Sequence, residues 1–114
     1  MTRDEAFRLQ DIHEALELIQ SYARRAAAYP EGRDDAFLQD AVLFRLAVIG
    51  EAVKSLPFET TAKAPEIDWS AWAGLRDVIS HSYFRVNMAT IWATVDSDVP
   101  ELAAAVDRLL ADLS

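Results

Sequence analysis

Apolar residues recur along most of the chain at helical intervals. Ile12, Leu16, Ile19, Ala23 and Ala26 follow steps of four, three, four and three, which is one face of a helix. Thr2 with Glu5 three positions later forms a capping box, which satisfies orphan amides at a helix start, so a first helix is expected from there to about Ala28. Tyr29-Pro30-Glu31-Gly32 interrupts it, because proline lacks an amide proton and glycine loses the most backbone entropy on becoming helical. Asp34 or Asp35 can cap a second helix, expected over about 35–55, where Phe37, Ala41 and Phe44, with Leu38, Val42, Val48, Ile49 and Ala52, present a broad apolar surface. Gly50 lies inside that helix at a cost of about 1 kcal/mol relative to alanine, and close approach of another helix is the expected reason.

Pro57 and Pro65 bracket a polar connection from Phe58 to Ala64. Asp68 or Ser70 then caps a third helix, beginning near Ser70 and carrying Trp69, Trp72, Leu75 and Ile79 at its apolar positions. Asn87 opens a short fourth helix with Met88, Ile91, Trp92 and Val95, and Asp98 with Pro100 opens a fifth with Leu102, Val106, Leu109 and Leu113. No repeat or alternating strand pattern competes. The expected fold is all-α, an up-and-down bundle of about five helices forming one domain over residues 1–114.

Composition narrows the function classes. There are no cysteines, so thiolate nucleophiles, disulfides and cysteine-ligated metals are excluded. No apolar run approaches the roughly 20 residues of a membrane span, and the charged N-terminus lacks a secretory pattern, so a cytoplasmic location without membrane contact is expected. The net charge of −8 opposes broad attraction to polyanions. A nucleic-acid activity therefore requires a small local basic site, and residues 69–95 supply one, with Arg76 and Arg85 against the single acid Asp77.

Within that region "GLRDVISHSYFRV", residues 74–86, sets three polar side chains in apolar surroundings. An arginine fork can hold a phosphate through two hydrogen bonds and stays charged throughout phosphoryl transfer. A histidine can take a proton from a ribose 2′-hydroxyl or give one to a leaving 5′-oxygen. On an ideal helix Arg76 and Tyr83 fall within about 20° of each other, while His81 is about 140° from Arg76, so one helix does not aim all three at one ligand. Arg76 and His81 can meet on one ligand only across a groove or at a bent helix end; a groove between two chains suffices, and it also supplies a second His81. The other histidine, His13, reads as a structural residue on the first helix, and Trp69, Trp72, Trp92, Phe44 and Phe84 read as core or interface packing rather than base-stacking platforms. A solvated helix face is the plain alternative for the whole trio.

The Arg-x4-His-x-Tyr spacing, from Arg76 through His81 to Tyr83, together with "DIHEALELI", "AVIGEAVKSL", "APEIDW", "IWATV" and "VPELAAAVDRLL", resembles the HepT-like ribonuclease toxins of the HEPN group over nearly the whole chain. The resemblance implies metal-independent RNA cleavage by Arg76 and His81 in a cleft between two protomers, with no cofactor. It further implies a type VII toxin–antitoxin pairing with an MntA-type nucleotidyltransferase, which would place AMP on Tyr83. Such a group would add negative charge and bulk beside Arg76. Asp77 stands where many members carry asparagine, so it either holds Arg76 or weakens RNA binding. Glu51, in the "IGEA" block, either orients Arg76 or only stabilises packing. The alternatives to an enzyme are a catalytically silent HEPN module that binds a nucleotide or protein, and a helical dimerisation protein.

Overall fold

A computed structural model describes residues 3–113, and of Phe84 the backbone alone. Five α-helices account for most of it: α1 Arg3–Ala27, α2 Ala36–Lys54, α3 Phe58–Thr61, α4 Trp69–Ser82 and α5 Met88–Ala111. Short 3₁₀ turns follow α1 at Gly32–Asp34 and α4 at Tyr83–Arg85, and there is no strand among the described residues. The fold is an all-α up-and-down bundle, as expected. No helix of the described residues is long and apolar enough to cross a membrane.

Local chemistry places most boundaries. The Asp35 carboxylate accepts from the Phe37 and Leu38 amides, Asp68 from Ala71, and Asn87 from Ala89 and Thr90, so three helix starts have the side-chain caps that their orphan amides need. The capping box assigned to Thr2 lies outside the described residues. The segment after Pro57 is not wholly irregular: residues 58–61 make one helical turn, α3, before the chain reaches α4.

The expected fourth and fifth helices are one. The helix α5 runs through Pro100 without a break. Trp92, Val95, Val99, Leu102, Val106 and Leu109 form one unbroken buried stripe on it, while Pro100 faces solvent. A proline inside a helix costs about 3 kcal/mol. Leu102, Val106 and Leu109, all fully buried, each return roughly 1.5–3 kcal/mol, so the core face outweighs the local breaker.

The expected apolar surface of the second helix is only partly its inner face: Leu38, Val42, Ile49 and Ala52 are buried as expected, and the two phenylalanines are not. Phe37 is 88% exposed and Phe44 59%, while Leu38, Val42, Leu43, Leu46, Ile49, Ala52 and Val53 face the core. Apolar residues surround most of α2, so periodicity alone does not choose its inward side. The core it joins is continuous, with Leu9, Ile12, Leu16 and Ile19 of α1 and the stripe of α5. Trp72 and Trp92 are buried, and the half-buried Trp69 donates its indole N–H to the Ala64 carbonyl at 2.9 Å. His13 lies between Glu17 and Asp107, 3.2 Å from the latter, and ties α1 to α5.

The helices α2 and α4 pack antiparallel, as the pairs Glu51–Arg76, Lys54–Asp77 and Asp40–Tyr83 show. Gly50 is where they touch. A β-carbon there would stand 2.9 Å from the Trp72 carbonyl oxygen and 3.0 Å from the Arg76 amide nitrogen, both backbone atoms that cannot swing aside. Gly50→Ala is therefore expected to lose about 1–3 kcal/mol in urea unfolding, although alanine is the better helix former. An unchanged or raised stability would mean that α2 and α4 do not meet at this point.

Candidate active site

The motif residues lie at the end of α4 and just beyond it. Arg76 and Asp77 project from its middle, at the level of Gly50, and His81 sits in its last turn. Helical geometry stops at Ser82, whose φ of −127° and ψ of 21° turn the chain into the Tyr83–Arg85 3₁₀ segment. The stripe expected to join Arg76 to Tyr83 is thus broken, because it presumed a helix continuing to Tyr83.

Instead, α2 holds the two ends separately. Arg76 Nε is 3.3 Å from Glu51 Oε2, and its Nη1 is 3.9 Å from Asp77 Oδ1. Asp77 has a closer partner in Lys54, whose Nζ donates to Oδ2 at 3.2 Å. Eleven residues before Glu51, Asp40 accepts a hydrogen bond from the Tyr83 hydroxyl at 2.5 Å. Eleven residues bring a helix back to within about 20° of the same direction, some 16 Å along, so Asp40 and Glu51 are one polar edge of α2 facing α4.

This arrangement revises the picture of a basic patch. Arg76 and Lys54 meet Glu51 and Asp77, so that part of the site is electrically balanced. All four side chains are between 39% and 57% exposed. Ion pairs of that exposure are worth about 0–1 kcal/mol, whereas a hydrogen bond to a charged phosphate is worth about 1.5–3, so Glu51 can orient Arg76 and still yield it to a phosphate.

His81 is exposed and makes no side-chain hydrogen bond or ion pair among the described residues. It lines an open cleft of about 490 Å³ with Ser80, Ser82, Tyr83 and Arg85. A depression of comparable volume, 440 Å³, on the outer side of α1 holds Glu14, Glu17 and Arg24, so volume does not single out the cleft. Its side chains do, since an imidazole, a phenol and a guanidinium meet there. Arg76 is not part of its lining. Among the described residues no group of three or more histidines and carboxylates is placed to hold a metal ion.

The family profile described as "Ribonuclease HepT-like" matches residues 12–109, which include every motif residue. The chain belongs to the HepT-like ribonuclease family. A Thermococcus cleftensis protein named "Probable ribonuclease HepT" is 37% identical over 109 residues, covering 96% of this chain and 98% of that one. A Methanocaldococcus jannaschii protein named "Gamma-glutamylcyclotransferase and putative RNase" is 35% identical over 117 residues, and there the match takes in 99% of this chain but 50% of the relative. The chain thus spans about half the length of that two-part relative. No solved structure matches this chain.

Two residues of this HepT-like site escape the motif. Asp40 holds Tyr83 and Lys54 holds Asp77, and both lie on α2, far away in sequence. The signal that locates them is the polar edge Asp40–Glu51 at a near-integral number of helical turns, which the surrounding apolar residues of α2 conceal. The hydrogen bond to Asp40 raises the Tyr83 phenol above its ordinary 10.0, with desolvation and the charge of Asp40 adding to it. A raised folded value means that the bond's contribution is complete below pH 10 and is lost as pH rises through the raised value. Asp40→Ala is expected to bring the Tyr83 titration back toward 10.0, read by NMR of ring-labelled tyrosine to separate it from Tyr29, which Asp35 raises in the same way. A Tyr83 titration unmoved by the substitution would contradict the contact.

Proposed function

We propose that this HepT-like chain is a metal-independent endoribonuclease, the toxin of a type VII toxin–antitoxin pair, acting as a homodimer whose cleft joins the ends of two α4 helices. The observation that carries this reading is the exposed His81 opening onto a cleft with Tyr83 and Arg85, one and a half turns after Arg76 on the same helix. Arg76 and His81 point along different lines of α4, and Arg76 is not among the described residues lining the His81 cleft, an arrangement that a second copy would complete. Exposed apolar side chains on α2 and α4, Phe37, Phe44 and Val78, suit such a pairing.

In the proposed reaction one His81 takes the proton of a ribose 2′-hydroxyl, and the freed oxygen attacks the adjacent phosphorus. The bond from phosphorus to the 5′-oxygen breaks, and that oxygen leaves with a proton from the partner copy's His81. The product ends are a 2′,3′-cyclic phosphate and a 5′-hydroxyl. Arg76, oriented by Glu51, steadies the non-bridging oxygens as charge builds on them. Lys54 draws off the negative charge of Asp77, which would otherwise repel the phosphate.

Inhibition is proposed to come from an MntA-type nucleotidyltransferase antitoxin that joins AMP to the Tyr83 hydroxyl. An esterified oxygen can no longer donate to Asp40, and the added phosphate anion beside that carboxylate would push the Tyr83 turn away from α2. Charge and bulk would then occupy the cleft directly.

Purified protein incubated with RNA in EDTA provides the test. Wild type is expected to cleave, His81→Ala to lose roughly 10²–10⁴-fold in rate, and Arg76→Ala to fall comparably. Equal RNA loss in all three preparations would overturn the assignment. Intact mass after co-expression with a candidate MntA-type nucleotidyltransferase is expected to show added AMP on wild type and none on Tyr83→Phe. A second reading, a silent module binding a nucleotide or protein, draws on the pairing of Arg76 with two carboxylates. Intact RNA at high protein concentration would favour it.

A further inference from the structure

We propose that Arg85, outside the Arg-x4-His-x-Tyr motif, is the side chain that holds the RNA phosphate in the His81 cleft. The inference rests on the ribonuclease reading above and adds to it a substrate-binding residue. Within one chain Arg85 lines the same cleft as His81, and Arg76 does not.

Position and charge mark it together: Arg8, Arg24 and Arg25 also lack a carboxylate partner among the described residues, but none of them lines the His81 cleft. Arg33, Arg76 and Arg108 are each held by a carboxylate, at Asp96, Glu51 and Glu66 respectively. Arg85 makes no ion pair, hydrogen bond or ring contact among the described residues, so a phosphate would displace nothing to reach it. Among the described residues no carboxylate lines the cleft. The nearest acid by contact is Asp40, and the Tyr83 hydroxyl already occupies it. In a chain of net charge −8, a hollow with one permanent cation and no acid is a place where a polyanion can settle.

The backbone beneath Arg85 is also fixed from both sides. Tyr83, two residues before, is tied to Asp40 of α2, and Asn87, two residues after, caps α5 through the Ala89 and Thr90 amides. The intervening 3₁₀ turn therefore carries Arg85 between two tethered neighbours while its side chain stays exposed. A guanidinium so placed can grip a phosphate by two parallel hydrogen bonds, which His81 cannot do while it exchanges a proton.

The test uses the uncleaving His81→Ala protein and a fluorescein-labelled single-stranded RNA oligonucleotide in EDTA, titrated at several salt concentrations. Adding Arg85→Ala is expected to weaken binding roughly tenfold or more and to make log K against log salt shallower by about 0.7, the loss of one phosphate contact. Adding Arg85→Lys instead is expected to keep the slope and recover part of the affinity, which also separates a lost contact from a misfolded chain. Equal affinity and equal slope with and without Arg85 would overturn the proposal while leaving the ribonuclease reading intact. RNA bound by none of the proteins would overturn both.

Discussion

The contact on which the site depends is the close approach of α2 and α4 at Gly50. Because no side chain stands between the two backbones there, the Trp72 carbonyl and the Arg76 amide can lie against α2. From that point outward the antiparallel geometry sets everything else. Glu51 meets Arg76 one residue along, Lys54 meets Asp77 one turn along, and Asp40 meets Tyr83 at the far end. A wider spacing would leave Arg76 without its orienting carboxylate and the Tyr83 turn without its anchor. The glycine's cost in helix propensity, about 1 kcal/mol, is small beside what that approach organises.

The polar pairs along this seam are exposed and individually weak, and that suits their place. Strong buried pairs would commit Arg76 permanently to α2. Pairs worth about 0–1 kcal/mol bias its direction without locking it, so an anion of better geometry can take it over. The Tyr83–Asp40 bond works in the same way on the other arm, holding a turn whose backbone has already left the helix at Ser82. Local acids thus orient the basic groups of a strongly acidic chain, and the described lining of the cleft beside His81 holds no carboxylate.

Much of this was legible in the residues. The stripe Ile12, Leu16, Ile19 and the caps Asp35, Asp68 and Asn87 marked helices that the structure contains, and Gly50 pointed to a close helix contact. Two features misled for the same reason, that local signals carry no knowledge of the partner surface. Pro100 reads as a helix start, yet the buried stripe from Trp92 to Leu109 carries α5 through it. Phe37 and Phe44 read as part of the apolar surface of α2 with Leu38, Val42, Ile49 and Ala52, yet of these only the latter four are buried and the two phenylalanines face out. At the site the motif spacing marked Arg76, His81 and Tyr83. It was silent about Asp40 and Lys54, because partners across a helix pair leave no mark at short range.

The proposed cleft requires two copies of His81, one as base and one as acid, and a mixing experiment addresses that claim directly. Wild-type protein held at fixed concentration is allowed to exchange subunits with a threefold excess of folded His81→Ala protein, and RNA cleavage is measured in EDTA. If both histidines of a pair are needed, random pairing leaves roughly a quarter of wild-type chains with a wild-type partner, and activity falls to about that fraction. Activity unchanged by the excess, with subunit exchange verified, would show that each chain cuts alone and would contradict the two-chain site.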